Sequence, residues 1–138
     1  SARDWQLKSS TITLGKSFDT HGPFGPWIVT TDEVGDPHEL DLKTWVNGEL
    51  RQSSNTRYLI HDCYEIIEIL SNVFTLEPGD VILTGTPSGV GFGFVPPRFL
   101  QAGDTIRVEI DRIGTIQNSV IDEPPAAPTQ KVGPSNVH

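Results

Sequence analysis

The chain is 138 residues long, enough for one domain with a core of its own, and its 13 glycines and 11 prolines favour turns and strands over long helices. Eighteen acidic side chains against ten basic ones give a formal charge of -8, which repels nucleic-acid phosphates and anionic membrane surfaces alike. No apolar run approaches the roughly 20 residues that span a bilayer, so neither nucleic acid nor membrane is an expected partner.

The elements follow in chain order. Ser1 to Gly15 has no clear period. Gly22-Pro23 and Gly25-Pro26 punctuate a loop that leads into a β-type run, Trp27-Ile28-Val29-Thr30, read as a strand. Leu40, Leu42, Thr44 and Val46 alternate with exposed partners, and Asn47-Gly48 then supplies the positive dihedrals of a type I′ turn, so a hairpin is predicted with Leu50 starting the return. Over Leu59–Val73 the period changes: Leu59, Cys63, Ile66, Leu70 and Val73 form one stripe and His61, Glu65, Glu68 and Asn72 another. That is one amphipathic helix over 59–73, with Asn55 or Thr56 as its cap. Strands are predicted over Val81–Thr84, Thr105–Ile110 and Thr115–Ile121. Two of these share an entry, because Leu76–Ile82 and Leu100–Ile106 both fit Leu-x-x-Gly-Asp-x-Ile and are read as equivalent turns. After residue 121 four prolines stand among small and polar residues, and 122–138 is expected to be a disordered tail.

The lone cysteine, Cys63, cannot close an internal disulfide and suits a reducing compartment. A cytoplasmic location is expected, or a mitochondrial one, and no targeting segment is recognisable in the sequence.

Candidate chemistry gathers in two stretches. Gly15-Lys16-Ser17-Phe18-Asp19-Thr20 brings an amine, hydroxyls and a carboxylate together. A lysine beside a carbonyl substrate stabilises a developing enolate, although spacing alone favours a solvated surface lysine by about three to one. Thr84-Gly85-Thr86-Pro87-Ser88-Gly89-Val90-Gly91-Phe92-Gly93 follows a predicted strand, and its glycines let backbone approach a ligand closely. It lacks the Gly-Lys-Ser/Thr of a phosphate loop and the Gly-x-Ser-x-Gly of a nucleophile elbow. A long turn between strands is about an even alternative. His21, His38, His61 and His138 show no metal-ligand spacing and are assigned no catalytic role.

Taken together, Ser1-Ala2-Arg3-Asp4-Trp5-Gln6, Gly15–Thr20, Gly25-Pro26-Trp27, Trp45-Val46-Asn47-Gly48-Glu49, Pro78–Ile82 and Thr84–Gly91 resemble, in order and separation, the fumarylacetoacetate hydrolase family. The resemblance runs over 1–121. It implies a mixed, mostly β fold, a fumarylacetoacetase-like rolled β-sheet barrel of which this chain holds the C-terminal part. It also implies an enzyme that hydrolyses or decarboxylates small keto acids or diketones of the acylpyruvate, fumarylacetoacetate or oxaloacetate type, using Mg²⁺ or, in its place, Ca²⁺ or Mn²⁺ as a Lewis acid. By motif position Lys16 resembles the family's active-site lysine, and Gln6 and Thr86 its substrate-contacting residues. Lys16 and Thr20 resemble neighbours of a further cation.

The family's main metal carboxylates, a Glu-x-Glu pair and an aspartate ahead of the Ser-Ala-Arg-Asp motif, have no counterpart in the sequence, so Mg²⁺ is expected to bind this chain weakly. A homodimer is expected if the domain is complete, and the isolated chain is expected to be unstable or self-associating. The alternative is a catalytically silent remnant that acts as an interaction module.

Overall fold

The computed structural model describes residues 2–8, 10–123 and 125. In chain order these form α1 (Arg3–Leu7), a 3-10 turn at Leu14–Lys16, α2 (Thr31–Val34), β1 (Asp41–Val46), β2 (Glu49–Asn55) and a 3-10 turn at Thr56–Tyr58. Then come α3 (Cys63–Ser71), a 3-10 turn at Gly91–Gly93, β3 (Thr105–Ile110) and β4 (Gly114–Ser119). The architecture is mostly β, as the sequence implied. The strands make one antiparallel sheet in the order β2-β1-β3-β4, and among the described residues it does not close into a barrel.

The sheet grows from the hairpin. Asn47 and Gly48 both carry positive φ, 51° and 80°, as a type I′ turn requires. The Asn47 amide then ties that turn to β3: its Nδ2 donates to Asp104 Oδ1 at 2.7 Å, and its Oδ1 accepts from the Thr105 N–H at 2.9 Å. The inward positions of β1, Leu42 and Thr44, are half-buried while Asp41 and Lys43 are exposed. Leu40, just before β1, is only 2% exposed. The pairing of β1 with β2 slips between Thr44↔Gln52 and Trp45↔Leu50, so Arg51 is the extra residue of a β-bulge.

The two Leu-x-x-Gly-Asp turns are equivalent, as expected. In one the Glu77 N–H donates to Asp80 Oδ2 at 2.8 Å and the Asp80 N–H to the Glu77 carbonyl at 3.1 Å. In the other the Gln101 N–H donates to Asp104 Oδ2 at 2.8 Å and the Asp104 N–H to the Gln101 carbonyl at 3.0 Å.

Three expectations need correction. Trp27–Thr30 is not a strand: it is irregular chain, held where Trp27 Nε1 donates to the Ile113 carbonyl at 2.8 Å. Val81–Thr84 is not a strand either, because β-type residues make one only when a neighbouring strand accepts and donates. Leu83 there is 82% exposed. The helix covers Cys63–Ser71 rather than 59–73, and its cap is Asp62. The Asp62 carboxylate accepts from the Tyr64 and Glu65 N–H groups, while Glu65 accepts from the Asp62 N–H, a complete capping box. Asn55 caps the preceding 3-10 turn instead, and the Thr56 hydroxyl accepts from the Leu40 N–H. The expected tail lies, from residue 126 onward, outside the described residues.

The chain exposes 11304 Å². Large apolar side chains stand exposed, Ile28, Ile60, Leu83 and Val95 among them, and apolar surface of this kind marks contact with other protein or self-association when it is contiguous.

Two exposed carboxylates hold contacts that acid undoes, Asp104 at the hairpin turn and Glu49 between β2 and the loop at Arg98. The Gln101 N–H and then the Asn47 amide hold the Asp104 carboxyl below its ordinary range. Hydrogen bonding to the Arg98 guanidinium does the same for Glu49. A carboxyl whose folded pKa is depressed adds stability above the ordinary carboxylate pKa and loses it as pH falls through the folded value. The urea midpoint of the protein is therefore expected to drop below about pH 4, with a smaller drop in Asp104→Asn. Identical drops in both proteins would show that Asp104 has no part in it.

Candidate active site

The N-terminal candidates form one packed unit. Gln6 sits on α1 with 7% of its surface exposed. The 3-10 turn bearing Lys16 docks against it through Gly15, whose carbonyl accepts from the Ala2 N–H at 2.8 Å. A Cβ on Gly15 would lie 2.4 Å from Gln6 Cγ and 2.7 Å from the Ala2 carbonyl oxygen, so only glycine permits this approach. The close contact is what brings Lys16 beside Gln6. Lys16 itself is exposed, and its N–H donates to the Thr13 carbonyl at 3.0 Å. Downstream, Phe18 packs edge-on to Trp5 with ring centroids 5.9 Å apart and lies 5.0 Å from the His21 ring, which fixes Ser17–His21 against α1.

The glycine-rich loop is held by β2. Gln52 Nε2 donates to Thr86 Oγ1 at 3.0 Å and to the Pro87 carbonyl at 3.0 Å. Gly89 passes so near the bulge that a Cβ there would lie 2.0 Å from the Arg51 carbonyl oxygen, and its φ is +99°. Beyond it, the Arg98 N–H donates to the Gly91 carbonyl at 2.8 Å, and the Arg98 guanidinium makes two bonds of 2.8 and 2.7 Å to the Glu49 carboxylate. Arg51 Nε lies 3.4 Å from the same carboxylate, an ion pair without hydrogen-bond geometry.

One contact joins the two halves: the Arg3 guanidinium of α1 lies 4.5 Å from the centroid of the Phe92 ring, within the glycine-rich loop. Helix α1 therefore touches, through the Arg3 side chain, the loop that carries Thr86. Thr20 stands apart from this contact, on a hollow of about 530 Å³ lined also by Trp5, Phe18, His21 and Asp122. None of Gln6, Lys16 and Thr86 lines that hollow, so its size is no guide to the candidate site. Gln52 and Arg3 were missed as site residues by sequence reasoning. Gln52 stands just past the Trp45–Glu49 motif, but no period in the sequence points from it to Thr86.

The described residues do not fit a divalent cation by themselves. Among them no group of three or more His, Cys, Asp or Glu side chains is placed to hold a metal ion. Several carboxylates are engaged within the chain: Asp4 lies 3.8 Å from Lys8 Nζ, Glu49 pairs with Arg98, and Asp104 holds Asn47. Nor is any helix among the described residues long and apolar enough to cross a membrane.

This geometry has relatives. The chain is 50% identical over 123 residues to the mitochondrial oxaloacetate tautomerase of Xenopus laevis, covering 88% of this chain and 39% of that protein. It superposes on the fumarylacetoacetate hydrolase of psychrophilic Exiguobacterium antarcticum with a TM-score of 0.83 at 50% identity, over 87% of this chain and 43% of that one. It superposes on the maleylpyruvate hydrolase of Sphingobium sp. SYK-6, solved with manganese(II) and pyruvate, with a TM-score of 0.64 at 49% identity, over 70% and 34% of the two chains. The chain thus spans about two fifths of the length of the relatives it matches. With residues 1–121 matching the family described as fumarylacetoacetate (FAA) hydrolase, C-terminal, the chain belongs to the fumarylacetoacetate hydrolase family.

Proposed function

We propose that this chain supplies the substrate-binding part of an enzyme acting on small keto acids, of the kind whose reactions pass through an enolate. The observation that carries the reading is the contact of Arg3, on the helix that bears Gln6, with Phe92, in the loop that bears Thr86. The names of the relatives, an oxaloacetate tautomerase and a maleylpyruvate hydrolase, give the substrate class.

In this reading the Lys16 cation stabilises negative charge on the enolate oxygen, the Gln6 amide orients the substrate, and the Thr86 hydroxyl donates to a carboxylate or keto oxygen. A divalent cation, were a further segment of the protein to hold it, would supply Lewis-acid polarisation. Carbon–carbon cleavage is the finer form of the proposal, with tautomerisation the other outcome of the same enolate chemistry.

Thr86→Val tests it, because valine keeps the branched shape and deletes the hydroxyl. A hydrogen bond to a charged substrate group is worth about 1.5–3 kcal/mol, so kcat/KM of the full-length protein, assayed with Mn²⁺ on oxaloacetate and acylpyruvates, is expected to fall about ten- to a hundred-fold with little change in Tm. A lowered Tm with normal kinetic constants would make Thr86 a structural residue and remove it from the site.

A further inference from the structure

We infer that Gln52 is a positioning residue for the keto-acid reaction: it sets the direction of the Thr86 hydroxyl. The inference rests on the substrate-binding reading of Thr86 given above.

The contacts of the Gln52 carboxamide decide which of its ends faces the loop. The Gln52 terminal atom nearest Thr86 also lies 3.0 Å from the Pro87 carbonyl oxygen, and a carbonyl can only accept. That atom must therefore be the NH₂ nitrogen. An NH₂ group can only donate, so at 3.0 Å the Thr86 oxygen is the acceptor. A hydroxyl that accepts on one side keeps its own hydrogen for another direction. Thr86 is exposed, so that hydrogen is left to meet a ligand oxygen. The polarity suits a keto acid, whose carboxylate and carbonyl oxygens only accept.

The bulge makes this possible. Arg51 is the extra residue of β2, and its carbonyl lies against Gly89, so the loop sits on the strand at the point where Gln52 follows. An ideal Cβ on Gly89 would also come 3.0 Å from Gln52 Cγ, so the side chain runs close beside the loop backbone. Loop and carboxamide hold each other in register.

Two variants of the full-length protein separate this role from simple anchoring. Gln52→Glu keeps the length of the side chain but turns donor into acceptor, so the Thr86 hydrogen is drawn inward and away from the substrate. Gln52→Met keeps the length, makes no hydrogen bond and leaves the hydroxyl free to rotate. If Gln52 orients Thr86, the glutamate variant raises KM more than the methionine variant, about thirty-fold against about five-fold, with Tm nearly constant. If Gln52 only anchors the loop, both variants lose the bond to the Pro87 carbonyl, and the loss of activity in each tracks its loss of Tm.

Combining each change with Thr86→Val completes the test. An effect that runs through Thr86 disappears in that background, whereas charge repulsion between the new carboxylate and an anionic substrate persists. Persistence of the full effect, normal KM in both single variants, or a loss of activity that tracks Tm would each overturn the inference. Normal kinetics in Thr86→Val alone would instead overturn the reading on which it rests.

Discussion

Lys16→Ala is expected to lower kcat/KM on keto acids by about a hundred- to a thousand-fold in the full-length protein, the usual consequence of removing one group that stabilises a developing oxyanion. The change should leave folding alone. The Lys16 side chain is exposed, and only its backbone N–H closes the Leu14–Lys16 turn, at 3.0 Å to the Thr13 carbonyl. A solvated surface lysine would behave differently, with turnover unchanged within error. Measuring kcat/KM and Tm on the same preparation distinguishes the two, and unchanged turnover would remove Lys16 from the site.

Gly89→Ala should produce the largest loss of stability of any small change near the site. The methyl group would arrive 2.0 Å from the Arg51 carbonyl oxygen, an atom of the strand backbone that cannot step aside. The residue would also have to hold a φ of +99°, which a side chain resists. Backbone strain and overpacking each cost about 1–3 kcal/mol, so together about 3 kcal/mol or more is expected, or a Tm lower by roughly 10 °C. Part of that strain is relieved if the loop lifts from β2, and lifting carries Thr86 away from Gln52. Activity should therefore fall beyond the loss of folded protein. An alanine variant with the parent's Tm and kcat/KM would contradict the docking of the loop on the bulge.

The legible part of the fold is the part encoded locally. Leu40, Leu42 and Thr44 alternate, Asn47-Gly48 turns, and Ile106, Val108 and Ile110 alternate again, so the hairpin and β3 could be read without their partners. The twin turns at Gly79 and Gly103 were legible for the same reason, since each is closed by an aspartate one residue after its glycine. Val81–Thr84 and Trp27–Thr30 were misread because a β-type sequence records a propensity and not a partner. The start of α3 was misplaced although its signal was present: Asp62 and Glu65 stand at the spacing of a capping box, but Leu59 extends the apolar stripe past it.

The candidate site was legible only through the resemblance. Gln6 and Lys16 come together because Gly15 lacks a side chain, and Gln52 meets Thr86 across a separation of 34 residues. Neither contact leaves a periodic trace. The bulge at Arg51, which brings β2 against the loop, is invisible to an alternation count because it interrupts the alternation itself.

The central claim is that α1, the Lys16 turn and the glycine-rich loop form one keto-acid site. A crystal structure of the full-length protein with Mn²⁺ and pyruvate, the pair named in the maleylpyruvate hydrolase complex, tests it most directly. Pyruvate is expected between α1 and the loop, with one of its oxygens accepting from Thr86 Oγ1 and the Lys16 ammonium facing the keto oxygen. Pyruvate bound elsewhere, or bound there with Thr86 donating to the protein's own backbone, would contradict it.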